Sequence, residues 1–132
     1  MKYLFLAASL FILGPASAQS GSSLPNAHQT DSAINVGRGL VSAKLADLKS
    51  AYTSNNAALF STYSQQYLTL MRDGLQQRGR KLDVDSKSVL QANLPAFLKI
   101  ERTFADYRNL LAAPQPDRAE IIKKAELFQS LY

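Results

Sequence analysis

The chain has 132 residues, with 15 Lys and Arg against 10 Asp and Glu, one His and no cysteine. That composition excludes disulfide staples, thiol nucleophiles, thiolate metal sites and a lipid-anchoring cysteine. The formal charge of +5 is a mild excess without a dense basic stripe. It argues against nucleic acid and leaves anionic surfaces or acidic proteins as the electrostatic match.

In chain order, residues 1–18 read as a cleavable secretory signal. Lys2 gives a positive start, Tyr3 to Leu13 an apolar run, and Gly14-Pro15 leads to the small-residue stop Ala16-Ser17-Ala18. The apolar run falls short of the roughly 17–25 residues that span a bilayer. No later run approaches that length, so no transmembrane segment is expected in the mature chain. Cleavage near Ala18 predicts a periplasmic or secreted protein, and losing Lys2 leaves a surplus of four positive charges. Residues 19–30, rich in Ser and Gly, read as a flexible polar leader containing the lone His28.

From Asp31 to Tyr132 apolar residues recur at helical spacing. A first helix is predicted over 32–52, capped by Asp31, with Ile34, Val41, Leu45, Leu48 and Tyr52 on its apolar face. Gly37 and Gly39 weaken its first turns by about 1 kcal/mol each, which moves the expected ordered start toward Leu40. Asn55 or Asn56 can cap a second helix over 57–78, whose buried stripe is Phe60, Tyr63, Tyr67, Leu70, Met71 and Leu75. Gly79 suits the stop beyond it.

Asp85 reads as the cap of a third helix reaching Ala113, with Val89 or Leu90, Leu94, Phe97, Ile100, Phe104, Tyr107 and Leu111 on one face. Pro95 removes a donor inside it and predicts a kink. After Pro114-Gln115-Pro116, Asp117 and Glu120 have capping-box spacing. The last helix that follows carries Ile121, Ile122, Ala125, Phe128 and Leu131 or Tyr132 inward, with Glu120 and Lys124 as an i,i+4 pair. The fold predicted is an all-α, antiparallel bundle of about four helices forming one domain over 31–132.

The residues offer little chemistry. His28 lies in the polar leader, where a catalytic base lacks the fixed geometry it needs. Asp83 and Asp85 start like a calcium loop, but Lys87 and Ser88 break the pattern. The only glutamates, Glu101, Glu120 and Glu126, sit among charges rather than in a pair that could cleave a glycoside. No catalytic residue, metal ligand or cofactor is expected. Two binding features remain. Tyr63 and Tyr67, one turn apart, could flank a groove for a partner helix or peptide, and Arg72, Arg78, Arg80 and Lys81 form the densest basic patch.

The expectation is therefore a non-enzymatic exported protein acting by contact with another protein of the cell envelope. An accessory factor, chaperone, inhibitor or immunity protein would fit, including one linked to a secretion or conjugation system. The alternatives are a surface-associated structural protein on anionic wall or lipid, and a small hydrolase with an unconventional site.

Overall fold

The computed structural model describes residues 27–132, with side chains from residue 31 onward except at 84. The predicted signal and most of the leader lie outside the described residues. Four helices follow in order: α1 (Ala27–Thr53), α2 (Ala57–Val84), α3 (Lys87–Ala112) and α4 (Arg118–Leu131). Each of the first two turns is short because its polar residues close it. Asn56 caps α2 by accepting from Leu59 N at 3.1 Å. Asn55 takes the left-handed conformation with φ of 55°, a region that asparagine tolerates. At the start of α4, Asp117 accepts from Glu120 N at 3.2 Å.

The bundle runs up, down, up and down, with α1 and α3 each packed on α2 and α4 and never on one another. Cross-helix partners show the antiparallel sense. Lys81 near the end of α2 pairs with Asp31 near the start of α1 at 3.2 Å. Lys49 pairs with Glu126 at 2.6 Å, and Gln129 donates to Ser42 at 2.7 Å.

The core contains Ile34, Val41, Leu45, Leu48, Phe60, Met71, Ile100, Ile121 and a set of aromatic rings. Tyr107, Tyr67, Phe128 and Tyr132 form a column through it. Ring centroids lie 5.6 Å apart for Tyr107 and Tyr67, 6.4 Å for Tyr67 and Phe128, and 5.5 Å for Phe128 and Tyr132. Tilted and edge-on arrangements of this kind suit the ring quadrupoles.

Several boundaries differ from the sequence reading. α1 starts at Ala27, so residues 27–30, His28 among them, are helix rather than leader. Asp31 is accordingly inside the helix and serves as an ion-pair partner instead of a cap. Gly37 does not fray α1, because the helix needs a small residue there. A Cβ on Gly37 would run into the Tyr132 hydroxyl, and one on Gly74 would meet the same ring at 3.1 Å. The Tyr132 ring thus enters where two glycines let α1 and α2 come close.

Gly79 is not a stop. α2 continues to Val84, and no described glycine has positive φ. Asp85 is the C-cap of α2, its N–H donating to Lys81 O, while Ser86 takes the N-cap position of α3. Asp85 is held there by Lys81 at 3.6 Å and by Asn93 at 3.2 Å. α3 runs through Pro95 as one helix. Glu120 pairs with Lys123 at 3.1 Å, because Lys124 is drawn to Asp106 across the α3–α4 contact at 3.3 Å. Tyr52, placed inward by its spacing, is 45% exposed at the end of α1. Leu94 is likewise 42% exposed.

Candidate functional site

A helix rises about 1.5 Å per residue, so α3, with 26 residues, is close to twice as long as α4, with 14. Because the two run antiparallel, α4 covers only the second half of α3. The consequence is legible along one stripe of α3 at seven-residue spacing. Thr103 is 4% exposed and Leu110 half-buried where α4 lies beside them. Val89, on the same stripe beyond the last turn of α4, is 42% exposed, and Ala96 is exposed as well. Ala92 adds a further small, exposed residue next to them.

Of this stretch Asn93 and Ala96 line a cleft, and Val89 lies one to two turns further out on the same stripe. The floor of the cleft is the last turns of α2, and its inner end is closed by Leu131. A pocket of about 130 Å³ opens there, walled by Leu82, Phe97, Ile100 and Leu131 with Arg78 and Lys81 at its base. Asp85, Asn93 and Ala96 complete the lining.

Arg78 organises this end of the bundle. Its Nη2 and the Nε of Arg38 both donate to the main-chain oxygen of Tyr132, the latter at 3.1 Å. Its guanidinium lies 5.3 Å from the centre of the Tyr132 ring. Its own Nε is buried with no hydrogen-bond partner among the described residues, as is the Tyr132 hydroxyl. Burial pushes Arg78 below the ordinary arginine value, and the neighbouring charge of Arg38 adds to that. Arg78 is therefore a desolvated cation with incomplete hydrogen bonding.

Of the residues singled out in the sequence, the structure brings Arg78 and Lys81 to the cleft. Lys81 sits between Asp31 and Asp85. Arg80 and Arg72 are exposed on the outer side of α2, so the four do not form one continuous surface. The proposed groove between Tyr63 and Tyr67 does not stay open. Tyr67 is 0% exposed, and its hydroxyl donates to Ala125 O at 2.6 Å, so its ring is core rather than groove wall. Tyr63 is half-buried, with Lys44 Nζ 5.0 Å from its ring centre. Tyr107 plays the same part as Tyr67, donating to Ser64 O at 2.8 Å.

The sequence placed Val89 or Leu90 on the inward face of the third helix, and of the two Leu90 is the half-buried one while Val89 is exposed; Ala92 and Ala96 were not singled out. Small residues on a helix face look the same whether a neighbour covers them or not. The available signal was the difference in length between the third and fourth helices.

Among the described residues no cluster of three or more His, Asp or Glu could hold a metal ion, and no helix is long and apolar enough to cross a membrane. Glu120 and Glu126 are each engaged with a lysine. The arrangement offers apolar contact and positive charge. Comparison with models of known protein families, with curated proteins and with solved structures finds no match in any of the three.

Proposed function

We propose that this protein acts by contact in the cell envelope, receiving a helix of another protein in the cleft beyond the end of α4. The exposure of Val89 and Ala96, on a stripe of α3 that α4 buries further along, carries the reading. A four-helix arrangement buries apolar stripes against all neighbours, and here, among the described residues, one position is empty for about half the length of α3. Small side chains at 92 and 96 let an incoming backbone approach closely. An amphipathic helix in an apolar groove is a common mode of peptide recognition.

The envelope location rests on the signal-like residues 1–18. A role as accessory factor, chaperone, inhibitor or immunity protein is compatible with this mode of binding, and neither a metal nor a cofactor is needed for it.

The test is affinity capture from envelope extract with the native protein beside Ala96→Glu and Val89→Asp. Both substitutions fall on exposed or half-exposed positions, so thermal unfolding should shift little, within about 0.5 kcal/mol. A protein enriched by the native chain should be lost with both variants. Equal enrichment by native and variant chains would remove the cleft from the account. A second reading, attachment to anionic wall or lipid, is supported by the exposed Arg72 and Arg80. It predicts salt-sensitive retention that ignores both cleft variants.

A further inference from the structure

The end of the bundle opposite the cleft holds a second, larger cavity of about 360 Å³. It lies where the first turns of α2, the last turn of α3 and the first turn of α4 meet, and the α3–α4 connection closes one side. The buried Phe60 and Ile121 form its floor, and Leu111 and Pro116 its apolar sides. Pro114 and Pro116 restrict the backbone of the connection, so this wall is set before anything binds. Size and lining match a small-molecule site, which is mostly apolar with a few convergent polar groups.

A single charge faces the cavity. Among the described residues that line it, Arg118 alone is ionisable. Its Nη1 donates to Asn55 Oδ1 at 3.2 Å, which uses one of five guanidinium N–H donors. The guanidinium lies 5.8 Å from the centre of the Phe60 ring. Neither contact brings a negative charge, and none of the ion pairs among the described residues includes Arg118. The acids nearest in sequence are engaged elsewhere. Asp117 accepts from Glu120 N, and Glu120 pairs with Lys123. The start of α2, with Ala57 in the lining, adds the partial positive charge of a helix N-terminus.

We propose that this cavity binds a small organic acid, one carboxylate on a compact apolar body. The carboxylate takes the fork of Arg118, and the body lies against Leu111, Pro116 and Ile121. Gln65 and Gln115, also in the lining, are amide partners for a polar substituent. At about 30 Å³ per water-sized group, the cavity takes about a dozen non-hydrogen atoms. The site is separate from the cleft, and the inference does not depend on the docking reading.

The test is a titration of the purified protein with 3-phenylpropionate and with 3-phenylpropionamide, which keeps the shape and removes the charge. Backbone amide resonances report the site. The acid should shift residues 57–65 and 111–121 and bind at least about tenfold more tightly than the amide. Arg118→Gln should abolish that preference, and Ser61→Phe, at an exposed lining position, should block both ligands. Both variants should keep the native spectrum away from the cavity.

Equal binding of acid and amide overturns the inference, as does a preference that survives Arg118→Gln or binding undiminished by Ser61→Phe. No shift with the acid, or shifts confined to the cleft residues 78–100, overturns it as well. The same residues shifting with a peptide that ends in a free carboxylate, and not with 3-phenylpropionate, transfers the site to a protein partner and overturns the small-molecule assignment.

Discussion

Replacing Phe128 by Ala should lower the free energy of unfolding by about 3–5 kcal/mol, the usual cost of truncating a buried aromatic side chain. The reason is its place in the core. Phe128 is 0% exposed, lies between the rings of Tyr67 and Tyr132, and comes from the shortest helix. Most of the hold of α4 on the bundle passes through this ring, together with Ile121 and Ala125. Small domains have only about 5–15 kcal/mol in total, and this one has no disulfide to limit its unfolded state. The variant should therefore unfold at a much lower denaturant midpoint. A change under about 1 kcal/mol would mean that α4 is not packed as described.

Raising the pH above about 10, where tyrosine ionises in an unfolded chain, should destabilise the protein steeply. Tyr67 and Tyr107 are both buried, and loss of solvation pushes each hydroxyl well above the ordinary tyrosine value. The charge of Glu126 adds to the shift at Tyr67, and the Tyr67 hydroxyl adds to that at Tyr107.

A group whose proton is held more tightly in the folded state contributes its full stability below the unfolded value. That contribution is lost as pH rises toward the folded value. Each tyrosine should then remove about 1 kcal/mol of stability per pH unit above about pH 10. Denaturant midpoints measured across this range should fall accordingly, and the tyrosinate absorbance contributed by Tyr67 and Tyr107 should appear only as the chain unfolds. The double variant Tyr67→Phe, Tyr107→Phe loses two hydrogen bonds at about 1 kcal/mol each, yet its stability should fall less steeply with pH. Equal slopes would show that the hydroxyls are not sequestered in the core.

The architecture was legible in the sequence because it depends on periodicity. Ile34, Val41, Leu45 and Leu48 recur at spacings that only a helix brings to one face, and all four are buried. Asn56 and Asp117 cap where their side-chain chemistry suggests. The misreadings have a common physical cause, since the residues concerned take their roles from distant neighbours. Gly37 looks like a weak point until Tyr132 is seen against it. Gly79 looks like a stop until Leu82 and Lys81 are seen to line a pocket with α3.

The candidate site was less legible than the fold. Arg78 and Lys81 were noticed for their charge, but charge density along a chain does not say which side chains turn inward. Tyr63 and Tyr67 were noticed for their spacing, and the same spacing serves a core. That Val89, Ala92 and Ala96 are uncovered follows from α4 being short and antiparallel, which only the assembled bundle makes visible.

The central claim is that the uncovered face of α3 is occupied by another protein where this chain works. A photocrosslinking residue placed at 96 in cells, beside controls at Arg108 and Lys123 on exposed positions, tests it most directly. The account predicts one discrete adduct from position 96 and none from the controls. The adduct should disappear when Val89→Asp is added. No adduct from position 96, or the same adducts from all three positions, would contradict it.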